Sequence, residues 1–228
     1  FRRAIYVQFP HAVPLLYTID REHCLECDLC QNLCKVGAIN LNQKPEEIEV
    51  KVGAIIVATG FDPFDARQKD EYGLGQYDNV ITGLSLERLL DVSGPTGGRV
   101  VRPSDGRIPK KVAFVQCVGP LNKKFENPYC SRVCCMYAAK EADMLKKQIL
   151  GVDVTVYHQD LAFSKGFEDF YQRAKSEFGV KYVKGKVSQI SEDPVNSNLT
   201  VRAIDIESGG PMEDQFDMVV LSTGIVPA

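Results

Sequence analysis

No uncharged apolar stretch in the chain approaches the ~18 residues of a membrane-spanning helix, so no helical span is expected. No charged segment followed by an apolar core opens it, which speaks against a secretory leader. Excess charge is also lacking: 27 Lys and Arg against 30 Asp and Glu leave a net charge of −3. That balance gives no reason to expect nucleic acid or an anionic membrane surface as a partner. Widely spread cysteines are missing too, because the eight present fall into two tight clusters, residues 24–34 and 117–135. A disulfide framework would need them distributed through a small loop-rich scaffold, and Cys24, Cys27 and Cys30 are too close together to staple distant parts of a core. Metal ligation by reduced thiols is expected instead, and with it a cytoplasmic location. The 228 residues, 44% of them hydrophobic, suit one large or two small domains. Residue 1 is Phe rather than Met, so the chain is expected to be an internal piece of a longer protein.

The most informative shortage is glycine in one loop. Residues 111–116 (K-V-A-F-V-Q) read as a strand and residues 134–150 as a helix. A dinucleotide-binding enzyme places glycines between two such elements, so that backbone N–H groups can approach a pyrophosphate at the helix start. From Gln116 to Cys135 there is one glycine, Gly119, and there are four thiols: Cys117, Cys130, Cys134 and Cys135. The site has the frame of a nicotinamide pocket and the ligands of a metal cluster. The N-terminal end of the following helix is positively polarised and favours thiolates and an anionic cluster. Adjacent cysteines on a helix diverge by ~100°, so Cys134 and Cys135 can serve one cluster if the first sits at the frayed helix start. Buried thiols without a metal remain an alternative.

The other cluster, Cys24-x2-Cys27-x2-Cys30-x3-Cys34, has the ferredoxin spacing. Three thiolates wrap one face of a 4Fe-4S cubane, and the fourth serves a neighbouring cluster. Zinc is the alternative, although it favours two separated Cys pairs or Cys with His, and His23 would crowd the thiols. Lys35 stands where a proline commonly follows the last cysteine.

Along the chain, residues 1–20 are read as extended, with Pro10 and Pro14 arguing against a helix. Residues 43–50 read as a charged turn into a strand. Residues 53–60 (G-A-I-I-V-A-T-G) read as a strand buried on both faces, as in a parallel sheet. A helix is expected over 85–92 with Ser85 as N-cap. Strand 112–116, helix 134–150 and strand 152–157 form a βαβ unit, with Ala138, Ala142, Leu145 and Ile149 on one helix face and Gly151 as C-cap. A helix over 164–178 and a strand over 180–184 follow. A hairpin is predicted from strands 199–206 and 216–221 around the turn 207–211. The V-A-T-G of residues 57–60 is echoed by L-S-T-G at 221–224, each a hydrophobic strand running into a Thr-Gly loop. Together the two point towards a two-domain flavoprotein.

Several motifs taken together resemble a known family. They are C-V-G followed by Y-C-S-R-V-C-C-M-Y-A-A-K-E-A, G-A-I-I-V-A-T-G-F-D-P upstream, and V-V-L-S-T-G-I-V-P-A at the end. They resemble the A subunit of heterodisulfide reductase, an iron–sulfur flavoprotein of methanogens and other anaerobes, over essentially the whole chain. The resemblance implies an α/β fold with a thioredoxin-reductase-like core. A ferredoxin-like module would occupy 1–50, the edge of an FAD-binding domain 51–62, and an NAD-domain-like unit carrying a second 4Fe-4S cluster 63–228. Cys117, Cys130, Cys134 and Cys135 would hold that cluster, and Cys24, Cys27, Cys30 and Cys34 would serve the ferredoxin-type clusters. Ala58, Thr59, Gly60, Phe61, Thr223 and Gly224 would form the edge of the flavin site, and Lys140 and Glu87 would stand beside the flavin. Where the family has Ser-Arg-Asp after C-V-G, this chain has Pro120-Leu121-Asn122, so no role is carried over for that loop.

The function so implied is electron transfer between FAD and 4Fe-4S clusters, with flavin-based bifurcation. It would take place in a hetero-oligomer with the other reductase subunits, ferredoxin, and a hydrogenase or formate dehydrogenase as electron source. The piece alone would be inactive. Two alternatives stay open: a pyridine-nucleotide-disulfide oxidoreductase, which would need a glycine loop after strand 112–116, and a non-catalytic, metal-stabilised relay module.

Overall fold

The run K-V-A-F-V-Q-C-V shows no polar–apolar alternation because the strand it forms is covered on both faces. The computed structural model describes residues 3–8, 11–44, 46–121, 128–163 and 166–227. Pro10, Pro45, Asn122 and residues 164–165, where a helix was expected to begin, lie outside these. The chain divides into two compact units, 1–58 and 59–228.

In the first unit, β1 (Ile5–Val7) pairs antiparallel with β2 (Tyr17–Ile19), with Ile5 opposite Ile19 and Val7 opposite Tyr17. A 3-10 turn over Arg21–His23 leads to the first cysteines, followed by the short helix α1 (Leu29–Leu33). Residues 46–60 form no strand and are exposed, Ile55, Ile56 and Val57 strongly so. This corrects the expected strands at 43–50 and 53–60. An extended apolar run becomes a strand only when another strand meets its N–H and C=O groups, and none of the described residues pairs with this one.

The second unit opens with β3 (Phe61–Pro63), then β4 (Val80–Thr82) and helix α2 (Gly83–Leu90). The cap of α2 is Thr82 rather than Ser85. The Thr82 side chain accepts the Ser85 N–H at 3.2 Å and shares a 2.9 Å hydrogen bond with the Ser85 hydroxyl. Next come β5 (Lys111–Val118), α3 (Cys134–Gln148), β6 (Asp153–His158), α4 (Glu168–Ser176) and the long β7 (Lys181–Glu192). The chain then runs through β8 (Leu199–Asp205), β9 (Pro211–Phe216), β10 (Met218–Thr223) and β11 (Ile225–Pro227). Seven strands form one sheet in the order β4-β10-β5-β6-β7-β8-β9, parallel from β4 to β7 and antiparallel thereafter. Strand β7 makes the change: Lys181–Lys184 runs parallel to β6, and Gly185–Glu192 pairs antiparallel with β8.

The predicted hairpin is therefore rebuilt. Its second strand is instead the polar run P-M-E-D-Q-F, most of which falls between the predicted turn 207–211 and the predicted strand 216–221; it can be polar because it lies on the open edge and has little to bury. The run M-V-V-L-S-T, buried at every residue, leaves the hairpin and enters the middle of the parallel sheet.

Alternation appears once the two faces are separated. Val112, Phe114, Val154, Val156, Met218 and Val220 pack under the helices with Ala138, Ala142 and Leu145 of α3. Ala113, Val115, Tyr157, Val219 and Leu221 face the other way, onto the β7–β9 meander with Leu199, Val201 and Phe216. This is a three-layer α/β arrangement with one core on each side of the sheet. Ile149 packs partly buried at the end of the α3 stripe, and Gly151, at φ 77°, turns the chain into β6 beyond the helix C-cap at Ile149. Phe114 is fully buried at the centre of the helix-side core. Phe114→Ala is expected to cost about 3–5 kcal/mol of stability, read as a lowered denaturant midpoint with an unchanged slope.

Candidate metal centre and adjoining cleft

The end of β5 is bent by its own register. Leu221 faces Val115 and Thr223 faces Val118, so two steps along β10 match three along β5. The extra residue bulges out near Cys117, which sits at φ 60°. A left-handed non-glycine residue is uncommon in a strand, and a bulge of this kind re-aims a side chain. Two glycines let the surrounding loops close on this point. Gly119, at φ 98°, has no room for a Cβ, which would fall 2.3 Å from the Phe64 ring. A Cβ on Gly224 would fall 2.2 Å from Pro120 and 2.6 Å from the Ser131 hydroxyl. Gly224 donates its N–H to the Val118 carbonyl at 2.9 Å and accepts the Phe64 N–H at 2.8 Å.

Helix α3 begins opposite the bulge. Its start has no side-chain cap, so its first N–H groups and the positive end of its dipole are left to whatever lies over them. Cys134 and Cys135 are the first two residues of the helix and both are buried. With Cys117 and Cys130 they line one cavity of about 210 Å³, closed by Pro120, Leu121, Arg132, Asp160 and Ala162. Burial raises the Cys117 thiol to about 11, with Cys135 and Cys130 adding to the rise. Burial likewise raises Cys134 to about 12, followed by repulsion from Cys135, Cys117 and Cys130, and it raises Cys135. Backbone N–H groups are aimed at the sulfurs: that of Gln159 at Cys117, that of Ala162 at Cys135, and that of Arg132 at Cys130 at 3.4 Å. Four thiols lining one cavity, Cys134 and Cys135 buried, Cys117 partly so and Cys130 exposed, with amide donors directed at three of them, fit a group that supplies positive charge.

The first cysteine group lies in the first unit. Left-handed residues flank Cys27, Glu26 at φ 52° and Asp28 at φ 56°, and curl the chain between Cys24 and Cys30. Cys34 follows α1 and accepts the Ala38 N–H at 3.3 Å. His23 is turned to Asp20, its Nδ1 3.0 Å from the carboxylate. Among the described residues, one group of three or more His, Cys, Asp or Glu side chains has all its ligand atoms within 4.8 Å of one another: Asp20, Glu22 and His23. No thiol belongs to it. Four thiolates on one zinc ion would stand about 3.8 Å apart, given Zn–S bonds of about 2.3 Å. Among the described residues, no three thiols of either cysteine group all lie within 4.8 Å of one another.

Beside the cavity lies a cleft of about 170 Å³, lined by Phe61, Pro63, Leu84, Val133, Tyr137 and Ile225 together with Glu87, Glu141, Thr223 and Gly224. Strand β3 pairs antiparallel with β11 along it, Phe61 opposite Pro227 and Pro63 opposite Ile225. Phe61, Thr223 and Gly224 of the expected flavin edge, and Glu87, expected beside the flavin, thus line one cleft. Thr59 and Gly60 precede β3, exposed and outside any strand, and Ala58 closes the first unit, also exposed. Lys140 does not line this cleft. Its Nζ lies 2.5 Å from Glu87 Oε1, and it borders an adjoining groove with Met136, Tyr137, Phe167 and Phe170. Both partners are about half exposed, so the pair contributes at most about 1 kcal/mol to stability. The cleft is a flat apolar slot with a few polar atoms, which suits one edge of an aromatic ring system.

Sequence reasoning missed Glu141, which is 1% exposed and lines the cleft. The signal was present, since Glu141 lies three residues after Ala138 and four before Leu145, on the apolar stripe of α3. The amides of Gln159 and Ala162 leave no trace in side-chain identity.

No family model matches the chain. It is 50% identical over 226 residues to the A subunit of the H(2):CoB-CoM heterodisulfide,ferredoxin reductase of Methanothermobacter thermautotrophicus, covering 99% of this chain and 34% of that protein. It is 51% identical over 227 residues to the iron-sulfur A subunit of the CoB--CoM heterodisulfide reductase of Methanocaldococcus jannaschii, covering 99% and 35%. Among solved structures, thioredoxin reductase of Lactococcus lactis aligns with a TM-score of 0.46 at 17% identity, over 75% of this chain and 44% of that one. The chain spans about a third of the length of the curated relatives it matches. Across that third, the chain is similar, at 50–52% identity, to proteins named as heterodisulfide reductase A subunits.

Proposed function

We propose that the chain is the part of an iron–sulfur flavoprotein subunit in which a 4Fe-4S cluster takes the place of a pyridine nucleotide beside the flavin. The observation that carries this is the single cavity lined by Cys117, Cys130, Cys134 and Cys135, at the helix start where a nucleotide's phosphates would otherwise bind. Cys24, Cys27 and Cys30 would hold a second cluster, and Cys34 would serve a neighbouring one. Bound FAD would supply the conversion between two-electron and one-electron chemistry on which electron bifurcation depends.

The chain's own residues set the conditions for that chemistry. The α3 start and the amides of Gln159, Ala162 and Arg132 stabilise negative charge on the cysteine sulfurs, which tunes a cluster's potential. Phe61, Pro63, Leu84 and Ile225 keep water from one side of the cleft, and the Tyr137 hydroxyl is fixed by its 2.7 Å bond to the Thr223 carbonyl. Lys140, held by Glu87, stands at the border of the cleft and would stabilise negative charge on a reduced ring. Against a pyridine-nucleotide oxidoreductase stands the lack of a glycine cradle, because the loop after β5 presents thiols instead. The partners that fit are other subunits of a heterodisulfide reductase complex, ferredoxin, and a hydrogenase or formate dehydrogenase as electron source.

Two measurements on the full-length protein test this. Cys134→Ser is expected to lower iron and labile sulfide by about four atoms each per chain, leaving the ferredoxin-type signal in place. Stoichiometric zinc in place of iron would refute the cluster assignment. Lys140→Met is expected to lower the flavin midpoint potential and slow turnover with iron content unchanged. A midpoint equal to that of the wild type would remove Lys140 from the flavin's surroundings.

A further inference from the structure

Burying a carboxyl group beside an apolar slot is costly unless its environment uses it. Glu141 projects from α3 into the cleft and is 1% exposed, and its Oε2 has no hydrogen-bond partner among the described residues. The first residue of α2 is a glycine at the point of contact. A Cβ on Gly83 would fall 2.8 Å from the Tyr137 ring and 3.3 Å from both Glu141 carboxyl oxygens. The start of α2 therefore closes over the carboxyl from one side, and the buried group is also part of the cleft's lining.

We propose that Glu141 is a proton-bearing hydrogen-bond donor of the cleft, whose unpartnered oxygen meets an acceptor atom at the edge of the ring system bound there. The proposal rests on the cleft being a flavin site and adds to it a specific polar anchor.

The protonation state follows from the groups around it. Burial pushes the Glu141 carboxyl up to about 9, the Glu87 charge from α2 adds to the rise, and the Lys140 charge from α3 opposes it. Tyr137, also on α3, has its hydroxyl committed to the Thr223 carbonyl. The N-terminus of α2 favours the anion, but one helix end offsets less than the burial of an unpaired charge costs. At neutral pH the group is an acid with one proton to share. As pH rises through about 9 that proton is lost, and with it the donor.

The test uses the full-length protein, stripped of flavin and titrated with FAD from about pH 7 to about pH 10, with iron content followed in parallel. Glu141→Leu is expected to weaken FAD binding by about 2- to 12-fold at neutral pH, the equivalent of one neutral hydrogen bond. Glu141→Gln keeps a donor that cannot ionise. It is expected to retain neutral-pH affinity and to hold it at alkaline pH, where the wild type weakens. Iron is expected to stay at the wild-type level in both variants, since Cys134 and Cys135 lie at the start of α3, more than a turn and a half before Glu141. Equal affinity of the Leu variant and the wild type overturns the proposal, as does a wild-type profile as flat as that of Gln or a Gln variant as weak as Leu. A wild-type protein that takes up no FAD removes the flavin reading itself, a result distinct from each of these.

Discussion

Everything near the site depends on one backbone irregularity, the bulge that puts Cys117 in a left-handed conformation at the end of a parallel strand. In a regular strand the side chains of Gln116, Cys117 and Val118 would alternate between the two cores. The extra residue breaks that alternation, and Cys117 joins the cavity with Cys130 and the paired cysteines of α3. Left-handed φ in a non-glycine residue costs of order 1–3 kcal/mol and persists only where the surroundings over-determine it. Here the constraint is visible on both sides. Gly119 admits the Phe64 ring, Gly224 admits Pro120 and Ser131, and the Gly224–Val118 hydrogen bond ties the two strand ends together. The sheet supplies rigidity and the bulge directs it at the thiols.

The sequence made the βαβ core legible because unbroken apolar strands and the Ala138–Ala142–Leu145 stripe have periods that few other structures share. It placed Cys117, Cys130, Cys134 and Cys135 around one strand end and one helix start, and one cavity gathers them there. Other features depended on partners that pattern does not reveal. The run Ile55–Ile56–Val57 has the composition of a buried strand, yet no described strand pairs with it. Strand β9 has the composition of a turn, yet it finds the β8 edge. Thr82 rather than Ser85 caps α2 because both are good caps and packing decides between them. The proximity of Glu87 and Lys140 is a property of the α2–α3 contact, which residues 53 positions apart cannot announce.

Helix α3 carries two kinds of chemistry on one element. Its first turn presents Cys134 and Cys135 to the thiol cavity, and its next two turns present Tyr137 and Glu141 to the cleft. The two sites meet at one atom, since the Thr223 carbonyl accepts both the Tyr137 hydroxyl at 2.7 Å and the Cys134 thiol at 3.5 Å. A thiol can donate to that carbonyl, whereas a thiolate on iron cannot. A cluster held by Cys134 would therefore free the Thr223 oxygen of the thiol and leave its bond to Tyr137. The tyrosine that walls the cleft is in this way positioned by the strand end that also closes over the cysteines. Thr223 and Gly224 touch residues of both sites, while Glu141 lines the cleft and Lys140 the adjoining groove.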